Sequence, residues 1–187
     1  MNELTTYRGM VEDIRRLINT GRSAAYAAVS TTMIQLYWDI GKRIVEQEQK
    51  GAERAEYGKQ LIHLLSEELT KEFGNGFSER NLRSYRQFYL LFSTREIWNA
   101  CVPNLNWTHF RSLLRVDDEN ARLWYLNEAS SEGWSSRTLD RNIATQYYNR
   151  LLAAPDKDAV IAEMKSNTAA FTKTGSELIK SPVIAEF

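Results

Sequence analysis

Residues 73–92, FGNGFSERNLRSYRQFYLLF, decide the fold of this chain. Gly74 and Gly76 end one predicted helix sharply, and Ser78 is placed to cap the next one. The polar face of that next helix consists of Arg80, Arg83, Arg86 and Gln87. Its apolar side consists of Leu82, Tyr85, Phe88, Tyr89 and Phe92. A helix, a glycine-containing turn and an arginine-bearing helix in this order predict a helix-turn-helix unit.

The same arrangement recurs 57 residues further along the chain. Residues 76–82 are GFSERNL and residues 133–139 are GWSSRTL. Both stretches follow the pattern Gly, aromatic residue, Ser, any residue, Arg, any residue, Leu. In each copy the serine predicts a helix cap, and the aromatic residue is placed to pack on the leucine. The helix after the second copy is expected to carry Arg137 and Arg141 away from one continuous apolar row, which consists of Leu139, Ile143, Tyr147 and Leu151. The repeat predicts a second unit of the helix-turn-helix type.

Upstream, apolar residues spaced by three and four predict helices over residues 7–19, 22–49 and 61–73. Asn19-Thr20-Gly21 is expected to end the first helix, and Gly51 the second. A helix over residues 22–49 would be ~40 Å long, which is more than a small core requires. We therefore predict a homodimer with residues 22–49 at its seam. The alternative is that this apolar stripe packs on the two neighbouring helices within one subunit.

Downstream, helices are predicted over residues 107–116, from about 119 to 130, and over 156–165, with a short helical piece around Ile97-Trp98. Nine Gly and three Pro among 187 residues are too few for a turn-rich sandwich or barrel. The predicted fold class is all-α: a multi-helix domain with a long N-terminal helix and one or two helix-turn-helix-like units. Residues 1–165 are expected to form the domain. Residues 166–187 are expected to form a linker and the beginning of a further element.

The charges of the chain are unevenly distributed, although 24 basic residues balance 24 acidic ones. Residues 76–115 contain six basic and two acidic residues, so this middle segment is locally positive. All six basic residues are arginines, whose planar guanidinium suits phosphates and guanine edges. They are Arg80, Arg83, Arg86, Arg95, Arg111 and Arg115. The distribution indicates duplex DNA as a partner in spite of the zero net charge.

Catalytic chemistry is not predicted for this chain. The chain has a single cysteine, Cys101, which excludes an internal disulfide. This cysteine and the two histidines together make a poor ligand set for zinc. His63 and His109 are expected to be partly buried and hydrogen-bonded within the fold. Pro155-Asp156 with Glu163-Met164-Lys165 has the letters of a nuclease metal site, but a single short helix is predicted there, so we interpret the match as chance. No cofactor and no membrane segment are predicted, and a reduced cysteine fits the cytoplasm.

Taken together, many short stretches of the chain resemble the N-terminal region of the bacterial YhcG-like nucleases of the PD-(D/E)XK superfamily. The resemblance covers nearly the whole chain, and it depends on the order and number of the matching pieces. These are residues 37–42 (YWDIGK), 57–58, 65–66, 73–82 (FGNGFSERNL), 88–89, 105–110 (LNWTHF), 113–114, 121–122, 125–126, 128–129, 134–139 (WSSRTL) and 150–151.

The resemblance implies a helical, DNA-binding region that precedes a C-terminal nuclease domain. It implies a divalent metal such as Mg²⁺ only for that nuclease domain, whose catalytic acids have no counterpart in this sequence. It also carries the helix-turn-helix expectation onto Arg80, Asn81, Arg83 and Arg137. The function predicted from the sequence is therefore that of a DNA-binding domain, with Arg86, Gln87 and Arg141 as further contacts. The alternative is a protein-interaction or dimerisation module that does not touch nucleic acid.

Overall fold

The computed structural model of the chain describes residues 3–50 and 55–171. Nine α-helices and no strand lie within these two ranges, so the predicted all-α class with a long N-terminal helix is confirmed. The helices are α1 (Glu3–Lys50), α2 (Ala55–Phe73), α3 (Glu79–Leu91), α4 (Arg95–Asn99), α5 (Trp107–Leu113), α6 (Glu119–Ser131), α7 (Ser136–Ala144), α8 (Tyr147–Ala153) and α9 (Lys157–Thr168). Short 3-10 turns occupy Asn75–Phe77, Val102–Asn104 and Ala169–Phe171.

Helix α1 is one continuous helix of 48 residues, about 72 Å long. The prediction that Asn19-Thr20-Gly21 ends a first helix was therefore wrong. A glycine in a helix interior costs only about 1 kcal/mol relative to alanine, which the flanking turns can tolerate. Gly21 keeps a negative φ and has open space around its Cα. The predicted break at Gly51 lies outside the described residues.

The C-terminal half of α1 packs against α3 at very short range. A Cβ atom on Gly41 would lie 2.0 Å from the carbonyl oxygen of Tyr85, so only glycine allows this approach. The large side chains around Gly41 are buried within the subunit; they are Ile34, Tyr37, Trp38, Ile44 and Val45. Much of the segment predicted as a dimer seam, residues 22–49, is therefore used inside the chain. Its apolar residues pack on α2, as half of the alternative expectation had it. The other half, packing on residues 7–19, is wrong because those residues belong to the same continuous helix.

The core consists of two clusters that share α1 and α3. The N-terminal cluster is Tyr37, Ile44, Ile62, Leu82 and Tyr85, in which the rings of Tyr37 and Tyr85 stack with centroids 4.2 Å apart. The larger central cluster is contributed by α1 and by the elements from α3 to α9. Trp107 packs against both clusters, so the N-terminal and C-terminal parts of the described chain are joined.

The turn between α2 and α3 is fixed by hydrogen bonds to its backbone. Gly74 adopts a left-handed φ of 81°, and its N–H donates to the carbonyl of Thr70 at 3.0 Å. The hydroxyl of Tyr85 and the amide of Asn81 both donate to the carbonyl of Gly76, at 2.9 Å and 3.1 Å. Ser78 occupies the predicted cap position, but its side chain makes no capping hydrogen bond.

The turn between α6 and α7 follows the same sequence pattern with different bonding. Here Gly133, which aligns with Gly76 and not with Gly74, takes the left-handed φ of 62°. The hydroxyl of Ser135 accepts a hydrogen bond from the N–H of Thr138 at 3.1 Å, so the predicted cap of α7 is confirmed. The sequence repeat therefore produces two turns between helices, and the helices that follow them have unequal caps.

Contrary to the prediction, the apolar row from Leu139 to Leu151 does not lie on one helix. The chain breaks at Gln146, which has a left-handed φ of 51°. Tyr125 explains the break, because its buried hydroxyl donates to the carbonyl of Asn142 and accepts from the N–H of Tyr148, both at 3.0 Å. This hydroxyl satisfies backbone groups at the end of α7 and the start of α8, which an unbroken helix would pair internally.

Helix α9 begins and ends differently from the sequence-based boundaries. The carboxylate of Asp156 accepts a hydrogen bond from the N–H of Ala159 and caps the helix. Met164 and Thr168 are both buried, so the helix continues past Lys165. Residues 166–171 are thus helical instead of linker, and the rest of the predicted linker and the apolar ending lie outside the described residues. Of the helices described, none has the length and apolar content required to cross a membrane.

Candidate nucleic-acid interface

Helix α3 presents its arginines on the side opposite to the core. Leu82, Tyr85 and Phe88 are buried, whereas Arg80 and Arg83 are exposed in the first turns of the helix. The spacing thus predicted the orientation of this helix correctly. Contact with a nucleic acid requires first that an arginine is exposed. It requires second that its guanidinium is not already bound to a carboxylate of the protein.

Glu79 is the acidic neighbour of this face. One of its oxygens lies 2.9 Å from Nδ1 of His63 on α2, and the other lies 2.6 Å from a guanidinium nitrogen of Arg83. The hydrogen bond to Glu79 raises the pKa of His63, and the same bond lowers the pKa of Glu79. His63 is therefore an exposed residue in an ion pair, which corrects the expectation that it is partly buried.

Three predicted contact residues of α3 are held by other parts of the chain. Arg86 binds the carboxylate of Glu48 on α1 at 2.6 Å. Gln87 donates to the carbonyl of Leu114 at 3.0 Å, and Asn81 binds the turn before α3. These bonds give each side chain a structural role in joining α3 to its neighbours.

Two arginines of the locally positive segment differ from the other four. Arg83, Arg86, Arg95 and Arg115 bind Glu79, Glu48, Asp39 and Asp140, respectively. Within residues 3–50 and 55–171, Arg80 and Arg111 contact no carboxylate, and both are exposed. Arg111 was not selected as a site residue from the sequence, although it belongs to the six arginines of residues 76–115. The charge excess was the signal that could have identified it.

Helix α5 connects the two arginine-bearing helices. Gln87 of α3 binds the carbonyl of Leu114 that follows α5, and Arg115 in the same turn binds Asp140 of α7. Burial raises the pKa of Tyr85, and the positive charge of Arg111 acts on that pKa in the opposite direction. Helix α5 therefore contacts both α3 and α7, and each of the three helices carries an exposed arginine.

Arg137 and Arg141 are exposed on α7, as the sequence predicted. Arg141 contacts no carboxylate in the part of the chain that the structure describes. The N-terminus of α7 is already capped by Ser135, whereas the side chain of Ser78 leaves the first amides of α3 uncapped. An anion would consequently find more unsatisfied N–H groups at α3 than at α7.

The chemistry of a metal site is not supported by the described residues. They contain no group of three His, Cys, Asp or Glu side chains close enough to hold a metal ion. Asp156 caps α9 and Glu163 binds Arg150, so the nuclease-like letters lie on a helix, as predicted. His109 is buried, and its Nε2 donates to the carbonyl of Trp134 at 3.0 Å, which fits the predicted structural role.

Comparison with known proteins gives a family for this arrangement. Residues 13–150 match the family described as "DUF1016 N-terminal domain". A protein of Escherichia coli (strain K12) named "Putative nuclease YhcG" is 33% identical over 218 aligned positions, which cover 100% of this chain and 58% of that protein. The chain thus spans less than two thirds of this relative, and no solved structure matches it. The resemblance to YhcG-like proteins is confirmed, and the chain belongs to the DUF1016 N-terminal domain family.

Proposed function

We propose that this chain is the DNA-binding part of a metal-dependent nuclease and that it works in the cytoplasm. The relative from Escherichia coli is named a putative nuclease, which supports a nucleic-acid partner for the longer protein. A divalent metal such as Mg²⁺ is expected only in the nuclease domain of that longer protein. The observation that carries DNA binding is that Arg80, Arg111 and Arg141 are exposed and contact no carboxylate among the described residues.

The proposed contact is a helix-turn-helix contact made by α2 and α3, with α3 as the recognition helix. Its positive N-terminal end and uncapped first amides favour a phosphate, and Arg80 lies in this first turn. Glu79 would repel a phosphate, but its charge is shared between His63 and Arg83. Helices α6 and α7 form the second unit, in which Arg137 and Arg141 add contacts to the same duplex.

The test is a salt titration of binding to a fluorescent duplex. Each neutralised phosphate contributes about −0.9 to the slope of log K against log salt concentration. The triple variant Arg80→Ala, Arg111→Ala, Arg141→Ala should reduce the slope by about one for each lost phosphate contact. If α3 makes a base contact, its removal would instead cost ~1–3 kcal/mol of binding free energy, and this loss would depend on the DNA sequence.

The matched control is Arg150→Ala, an exposed arginine on α8 that binds Glu163. It should leave the slope unchanged, and circular dichroism should show that every variant is folded. Two double variants then separate the contributions of the two units to DNA binding. They are Arg80→Ala plus Arg83→Ala in the first unit and Arg137→Ala plus Arg141→Ala in the second. The proposal fails if the parent protein shows no salt-dependent binding at low ionic strength, or if the triple variant behaves like the control.

A second candidate function is a protein-interaction module without nucleic-acid contact. The observation that favours it is the exposure of large apolar side chains along α1, from Tyr7 to Leu36. Exposed apolar side chains gathered on one helix are typical of an interaction surface. The titration separates the two functions, because an interaction module alone would show no salt-dependent affinity for DNA.

A further inference from the structure

The N-terminal half of α1 is a helical arm that the rest of the described chain does not cover. All residues from 12 to 25 are exposed. Long apolar side chains on one side of the arm are uncovered, Leu17 by 71% and Tyr7 by 61%. Most of the stability of a protein helix comes from packing of its apolar face, so this arm requires a partner.

The apolar face of the arm continues along α1 into a groove. The groove has a volume of about 410 Å³ and lies between α1 and α2. Its apolar walls are Ile40, Ile44, Leu61, Leu65, Leu69 and Leu82, and Asp39 and Arg43 lie at its edge. One helix therefore carries both an exposed apolar stripe and, further along, an apolar groove of matching chemistry.

The spacing of the apolar positions on this face is the same in both directions. From Met10 to Ile44 they follow one another in steps of 4, 4, 3, 4, 4, 4, 3, 4 and 4 residues. A second copy that runs antiparallel, with its centre at residue 27, therefore meets apolar positions between residues 18 and 36. Its Met10 and Ile14 come to the level of Ile44 and Ile40, which pack within the subunit and line the groove. Gly21 faces Met33 and Ala25 faces Val29, so a small residue lies opposite a larger one in these two pairs, and Ile18 faces Leu36.

The charges beside this face agree with the antiparallel arrangement. It brings Arg15, which is next to Ile14, to the level of Asp39, which is next to Ile40 and also binds Arg95. A parallel pair in register would instead place every charge beside its own kind. Unlike charges within a Debye length of ~8–10 Å attract, so the antiparallel arrangement is favoured.

We infer that the chain forms a two-fold dimer in which the α1 arm of each copy lies antiparallel on α1 of the other copy and reaches its groove. The helices would share a strip ~50 Å long and ~10 Å wide, on the order of 500 Å² per copy. Leu61, Leu65 and Leu69 of α2 enlarge this area towards the ~800 Å² of a standard interface. The inference supplies the partner for the interaction-module function and does not depend on DNA binding.

Cross-linking tests the register, in a background in which the buried Cys101 is replaced by alanine. A mixture of Ile18→Cys chains and Leu36→Cys chains should form a disulfide-linked dimer on mild oxidation. Ile18→Cys chains alone should not, because two copies of residue 18 lie ~27 Å apart along the pair. Efficient coupling of Ile18→Cys with itself would overturn the antiparallel arrangement.

The mass in solution tests the association itself, measured by light scattering without DNA. The parent protein at tens of micromolar should be a dimer, and Ile14→Glu plus Ile18→Glu should make it a monomer. Leu152→Glu is the matched control, since Leu152 is 63% exposed on α8 and lies off the face. A monomeric parent protein, or a dimer that survives Ile14→Glu plus Ile18→Glu, would overturn the inference, and neither result would affect the titration with DNA.

Discussion

Glu79 shows how much a single side chain does at the start of α3. Its two oxygens bind His63 of α2 and Arg83 of the next turn, so one carboxylate joins two helices and restrains one arginine. All three groups are substantially exposed, which means that water screens the pair and that its energetic contribution is small. The pair is therefore better detected by the titration of His63 than by overall stability.

The pKa of His63 should lie above the ordinary value of 6.5, because the charged imidazolium is held by the carboxylate of Glu79. Glu79→Gln should lower that pKa, while Glu67, whose carboxylate lies 3.9 Å from Nε2, keeps a smaller influence. NMR titration of the imidazole protons measures both values, with the His63→Gln variant to assign the signal. Glu68→Gln is the control, since Glu68 binds Lys71 instead. An unchanged pKa in Glu79→Gln would contradict the pairing.

The same shifts fix the pH range in which the pair stabilises the fold. The pKa of His63 is raised, so its contribution is complete below the pKa of the unfolded chain and is lost as pH rises through the folded pKa. The pKa of Glu79 is lowered, so its contribution is present above the unfolded pKa and is lost as pH falls through the folded value. The pair therefore acts between these two limits, in mildly acidic to neutral solution.

At the scale of elements, the contact between α1 and α3 depends on one glycine. Gly41→Ala would place a methyl group 2.0 Å from the carbonyl oxygen and 2.7 Å from the carbonyl carbon of Tyr85, and a backbone cannot rotate away. The helices must separate, which we expect to cost about 1–3 kcal/mol of unfolding free energy in urea denaturation at fixed protein concentration.

Gly9→Ala in the same helix is the matched control for this substitution. Gly9 has nothing within 4 Å and lies on the side of α1 away from the apolar face. The better helix propensity of alanine should leave the stability unchanged or raise it by up to about 1 kcal/mol. Equal effects of Gly41→Ala and Gly9→Ala would mean that α1 and α3 do not approach as closely as described.

Local sequence signals predicted most of the helices. They failed where contacts between residues distant in sequence determine where a helix ends. The cap at Ser135 and the split between the two faces of α3 follow from neighbouring residues, so they could be predicted. The break at Gln146 depends on the hydroxyl of Tyr125, which is distant in sequence. Continuity through Gly21 was missed because a single glycine is a weak stop signal.

At the scale of the whole molecule, the candidate site was only partly accessible from the sequence. Periodicity identified which arginines leave the core, but it contains no information on their partners. Glu48 is 38 residues away from Arg86, and Asp140 is 25 residues away from Arg115. Of the six arginines of residues 76–115, these pairings leave only Arg80 and Arg111 without a carboxylate partner among the described residues, and Arg141 on α7 likewise has none. These three residues lie on helices that only the tertiary fold brings together.

Because α3 packs on α1 at Gly41, the position of Gly41 along α1 sets the distance between the two α3 helices of a dimer. In the proposed antiparallel dimer each Gly41 would lie 14 residues from the centre, so the two α3 helices would be ~42 Å apart along the pair. One turn of duplex DNA measures ~34–36 Å, which makes this separation about 12 base pairs. Two protected segments with that spacing in a hydroxyl-radical footprint are the expected signature, whereas one isolated segment would show that the two copies do not read the same duplex.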